Sequence, residues 1–133
     1  MSPFQKIASL ILISGTLIAA APKERFSRHL QEVLKDPDSA KVEVTLRTKE
    51  KICGRYNAKN SYGGYVGYKP FVYVLTDDTL YAGYTIVTKN LVAYEPSELI
   101  GKNLDFDELS KRMTMVEEAM ARIDKAYEGC PSA

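Results

Sequence analysis

One histidine, His29, two cysteines, Cys53 and Cys130, and three groups of acids, Asp77-Asp78, Asp105-Phe106-Asp107-Glu108 and Glu117-Glu118, are the side chains with chemistry to offer. Histidine is the commonest general base, and a carboxylate pair is the working unit of glycosidases. Neither set is complete. His29 has no nucleophile at a motif spacing, and no Gly-x-Ser-x-Gly elbow is present. It reads as a solvent-facing or partly packed helix residue. The acids fit plainer roles: a tight turn for Asp77-Asp78, a helix start for 105–108, and the exposed face of an amphipathic helix for Glu117-Glu118. Two distant cysteines and one histidine are too few ligands for a structural zinc, so neither metal nor cofactor is expected.

Residues 53–68 are different in kind. This stretch carries Gly54, Gly63, Gly64 and Gly67 among Tyr56, Tyr62, Tyr65 and Tyr68, with Asn57, Lys59 and Asn60. Gly63-Gly64 can supply the positive φ angles that other residues resist, and Gly67 can let a backbone or ligand come close. Asn57 and Asn60 each offer a donor and an acceptor, and Lys59 adds a cation. Rigid tyrosines among adaptable glycine, serine and asparagine make up many binding surfaces. The competing reading is a bulged hairpin whose tyrosines cover the sheet and whose asparagines satisfy turns. A phosphate loop is excluded, because no Gly-Lys-Ser/Thr ending follows.

The elements that would hold this segment follow from periodicity. Phe26, Leu30, Val33 and Leu34 predict a helix over 23–35, closed by Asp36-Pro37. Alternation predicts a strand over 40–48, with Val42, Val44 and Leu46 on the inner face. A polar turn then leads to a second strand, with Ile52, Gly54 and Tyr56 on one face and Cys53, Arg55 and Asn57 on the other. Residues 71–76 and 80–88 predict a second hairpin entered through Pro70, and 91–94 a short further strand. Phe106, Leu109, Met113, Val116, Met120, Ile123 and Tyr127 form one helical stripe, with Asp105 and Glu108 as its capping box and Gly129 as its stop. Met113 and Met120 are expected as core filler. The sum is an α+β domain: an antiparallel sheet of four to five strands packed by an N-terminal and a long C-terminal helix.

At the N-terminus, Lys6 precedes an apolar run over 7–18 and the small residues 19–21. This is the pattern of a signal peptide over 1–20, leaving a single exported domain over 21–133. The run is shorter than the roughly 20 residues of a membrane span, so no stable anchor is expected after cleavage. Lys6 is the one charged residue removed, so 18 basic and 17 acidic residues become 17 and 17. Such a neutral chain gives no argument for nucleic acid. Export would also place Cys53 and Cys130 where a disulfide can form, the alternative being two unpaired thiols.

The run Leu34, Asp36-Pro37, Ser39-Ala40, followed by Cys53-Gly54, Asn57-Ala58-Lys59-Asn60, Gly63-Gly64-Tyr65, Gly67 and Pro70-Phe71, resembles a group of small exported bacterial and phage-associated uncharacterised proteins. Tyr56 stands where the group's pattern has a smaller aliphatic residue. The resemblance implies a bacterial source and a periplasmic or secreted location, and no particular reaction. Residues and resemblance together lead to the expectation of a non-enzymatic binding or inhibitor-type protein. Its contact surface is Asn57, Lys59, Asn60, Tyr62, Gly63, Gly64, Tyr65 and Gly67, and its partner an envelope protein or a glycan. The alternatives are a cell-wall-acting hydrolase and a structural accessory of an envelope or phage assembly.

Overall fold

The computed structural model describes residues 22–132, so the expected export segment lies outside the described residues. Helix α1 (Pro22–Gln31) leads through a short 3-10 turn (Pro37–Ser39) into β1 (Lys41–Arg47), β2 (Lys51–Asn57), β3 (Lys69–Val74), β4 (Thr79–Ala82), β5 (Thr85–Val87) and β6 (Ala93–Tyr94). A second 3-10 turn (Pro96–Leu99) precedes helix α2 (Phe106–Tyr127). The strands pair antiparallel in chain order to form one open six-stranded sheet.

The architecture is α+β, with six strands rather than four to five. The extra strand comes from a break within 80–88, where Ala82 pairs with Thr85 across Gly83-Tyr84. Gly83 takes φ +61°, which a two-residue hairpin turn requires of its first residue. Continuous β-forming residues on both sides conceal that turn in the sequence.

Both faces of the sheet are covered. Phe26 and Leu30 of α1 bury against Ile52, Tyr56, Phe71, Tyr73, Leu80, Ala82 and Val87. On the opposite face, Ala119, Ile123 and Ala126 of α2 bury against Cys53, Val72, Tyr81 and Ile86. Helix α1 ends four residues before Lys35. Its exit tightens into bonds from Glu32 N to His29 O and Val33 N to Leu30 O, and Asp36 before Pro37 leaves helical space at φ −129°. Val33 and Leu34 still pack against the α1-side core from that exit.

Strand β1 departs from the expected single inner face. A bulge between Val44 and Leu46 shifts the register, so Val42 packs with the α1-side core and Leu46 with the α2-side core. Val44 is left exposed.

Helix α2 buries only its C-terminal half. Met113, expected in the core, is 50% exposed and Phe106 is 83% exposed. A helix of 22 residues runs about 33 Å, and its first turns lie against the Pro96–Leu99 turn instead of the sheet. Arg112 donates there to Leu99 O. The Asp105 carboxylate caps α2 through Glu108 N at 2.8 Å, while the Glu108 side chain turns to Arg112, so the capping box is one-sided. A reciprocal box forms instead at Glu95 and Glu98.

The C-terminal end of α2 is fastened three ways. Cys130 is bonded to Cys53 of β2, with Cα atoms 5.8 Å apart. Lys51 Nζ donates to the carbonyls of Ala126 and Glu128, placing a cation where the helix dipole is negative. The Tyr127 hydroxyl accepts from Gly83 N and lies within hydrogen-bond distance of Tyr81 O and Pro70 O.

Two phenols are thereby held far from their usual range. Burial pushes Tyr127 up to about 12, and burial followed by the bond to Asp78 does the same for Tyr73. Unfolding returns both to about 10, so above that pH the unfolded chain releases protons first. Their contribution is complete below pH 10 and is lost as pH rises to about 12. The urea midpoint is expected to fall between about pH 9 and pH 11, and to fall less in Tyr73→Phe/Tyr127→Phe. An equal fall in that variant assigns the effect to other groups.

Candidate functional site

The expected contact segment leaves β2 at Asn57 and returns at Lys69 as a small secondary hairpin, with a bridge between Lys59 and Tyr65. Its turn is built by Asn60. The side-chain oxygen of Asn60 accepts from Tyr62 N at 3.0 Å and Gly64 N at 3.2 Å, and its backbone exchanges bonds with Gly63 and Gly64. Gly63, at φ +79°, supplies the left-handed residue this turn needs. Asn57 does the equivalent work at the base, accepting from Gly67 N at 3.2 Å.

Tyrosines fix the hairpin to the sheet edge. Tyr65 donates its hydroxyl to Ser39 O at 3.1 Å, and Lys41 Nζ lies 4.3 Å from its ring centre. Lys59 donates its backbone N–H to the Ser39 hydroxyl. Tyr68 lies under the Arg55 guanidinium at 4.7 Å and is hydrogen-bonded to Glu43. The Arg55 bond, then the Tyr68 bond, hold the Glu43 carboxyl below its ordinary range, and the Glu43 bond first of all pushes the Tyr68 phenol up.

The eight residues therefore divide into separate roles. Asn57, Asn60, Gly63, Gly64, Gly67 and Tyr65 build and brace the hairpin. Tyr62, 96% exposed, stands clear of it, and Val66 on the returning arm is exposed. Lys59 is half-buried, its ammonium 5.8 Å from the Tyr65 ring.

The hairpin also walls an open cleft of about 570 Å³. Ala58, Lys59, Asn60, Val66 and Gly67 form one side, Val33, Leu34 and Lys35 from the exit of α1 a second, and the 82–85 turn a third. Tyr56, Lys69 and Glu95 complete it. Sequence reasoning missed the second and third sides, which lie 15 residues or more from the hairpin's lining residues along the chain. One signal was available: Tyr84 follows the glycine of a two-residue turn, where no strand face can bury it, and it is 66% exposed.

His29 is not solvent-facing. It is buried, with Nδ1 2.9 Å from Arg25 O and Nε2 2.9 Å from Asp78 O. The Asp78 carboxylate lies 3.5 Å from Nε2 and accepts from the Tyr73 hydroxyl. Both ring nitrogens are thus occupied, Nδ1 within α1 and Nε2 in tying α1 to the β3–β4 turn, and neither is placed to move a substrate proton. No group of three or more metal-ligating side chains occurs among the described residues, and no helix among them is long and apolar enough to cross a membrane. Comparison with protein-family models, with curated proteins and with solved structures finds no match.

Proposed function

We propose that this chain is an exported bacterial binding or inhibitor-type protein that engages an envelope protein or a glycan through the 57–68 hairpin and the neighbouring Tyr84 turn. The observation that carries this reading is a braced loop presenting unbraced apolar side chains. Tyr62, Val66 and Tyr84 are 96%, 55% and 66% exposed, while the residues around them are tied down by Asn57, Asn60 and Tyr65. Aromatic side chains on a preorganised scaffold lose little entropy on binding.

The division between bracing and presenting residues sets the test. Tyr62→Ala/Val66→Ser/Tyr84→Ala is expected to lower crosslinked capture of a partner from a bacterial envelope fraction by tenfold or more, with a melting temperature within about 2 °C of the parent. Asn57→Ala/Asn60→Ala lowers both capture and melting temperature, because it releases the hairpin. Full capture by the triple variant defeats the reading.

A second reading, a structural accessory of an envelope or phage assembly, is favoured by the N-terminal half of α2, where Phe106, Met113 and Met115 are exposed. In that case crosslinks from a stoichiometric assembly component fall on 106–115 and not on 57–68.

A further inference from the structure

The cleft beneath the hairpin combines an apolar floor with a one-sided rim. Val33, Leu34, Tyr56, Ala58 and Ala82 supply the floor, and all five are buried or half-buried. Lys35, Lys59 and Lys69 stand around it, and among the described residues none of the three has a carboxylate within ion-pair distance. Glu95 is the single acid of the lining, and its side chain is engaged by the Glu98 backbone at the start of the second 3-10 turn. Its volume, about 570 Å³, falls within the roughly 300–1,000 Å³ of small-molecule sites.

We infer that this cleft binds a small organic acid with an apolar body, a medium-chain acyl or aryl carboxylate. Its apolar part covers the Tyr56 and Leu34 side of the floor, and its carboxylate meets the lysines at the rim. Three cations against one occupied acid select an anion over a neutral or cationic analogue. An apolar floor selects a chain over a bare ion, which would leave that floor wet. Gly67 lines the hairpin wall and Gly83 the wall of the 82–85 turn, so their backbone amides report occupancy from two sides.

This inference deepens the binding reading and rests on it, but the two fail separately: Val66 and Tyr84 line the cleft and Tyr62 does not, so partner capture by Tyr62→Ala alone reads the outer surface and ligand titration reads the cleft. The probe is octanoate, followed by amide chemical shifts of the uniformly labelled protein. Saturable shifts at Gly67 and Gly83 are expected, with propionate and 1-octanol each binding about tenfold more weakly or worse. Lys35→Gln/Lys59→Gln/Lys69→Gln is expected to weaken octanoate by about tenfold while leaving 1-octanol unchanged. Raising the ionic strength weakens octanoate in the parent and not in this variant. Equal affinity for octanoate and 1-octanol, unchanged octanoate affinity in the lysine variant, shifts centred on Met113, or no saturation by about 10 mM overturns the inference.

Discussion

Gly54→Ala is expected to remove a large part of the domain's stability, about 3 kcal/mol or more, although it adds one methyl group to a strand. A Cβ at this position would lie 2.4 Å from Glu43 O of β1 and 2.7 Å from two ring atoms of Phe71. The first contact is with backbone, so β1 and β2 cannot stay in register without moving apart. The second displaces a ring that stacks on Phe26 at a centroid distance of 5.1 Å, the joint between α1 and the sheet. Urea denaturation gives the loss. Phe71→Leu in the same chain relieves the ring contact and leaves the backbone contact, so it is not expected to restore the parent midpoint. An alanine variant within about 1 kcal/mol of the parent would show that the strands yield, and would remove the close approach as the reason for glycine.

Loss of the Cys53–Cys130 bond is expected to be the other large effect. The bond spans 77 residues, and in the chain-entropy model a closed loop of that length stabilises by about 4 kcal/mol. Set against the 5–15 kcal/mol of an ordinary domain, that is a drop of about 15–30 °C in melting temperature for Cys53→Ser/Cys130→Ser. Reductant should lower the parent's melting temperature by the same amount and leave the double variant unmoved. A parent whose mass shows full reduction and whose melting temperature holds would show that Lys51, Tyr127 and the α2-side core fasten the helix without the bond.

Local rules made α2 the most legible element, because its period, its Asp105 cap and its Gly129 stop all agree, and Gly129 does take φ +77°. They failed where one residue changes the geometry. The bulge after Val44 turns Leu46 to the opposite face, and Gly83 folds one expected strand into two. Met113 shows a different failure: helical spacing gives a stripe but not the width of the sheet beneath it. At the candidate site the composition of 53–68 marked out a stretch of surface but not its division of labour. An asparagine that braces a turn and one that meets a ligand have the same side chain, and only Gly67 N on Asn57 and Gly64 N on Asn60 distinguish them. The cleft itself was invisible because its walls meet only once the sheet has formed.

Each strand in this sheet pairs with its neighbour in the chain, with no crossover. The sheet can therefore be zipped from either side by closing short loops in succession, and the slow search for distant partners falls to the helices and to Cys130. With Cys53 and Cys130 already joined, the end of α2 starts close to β2 in the unfolded chain, so the bond shortens the one search that is long.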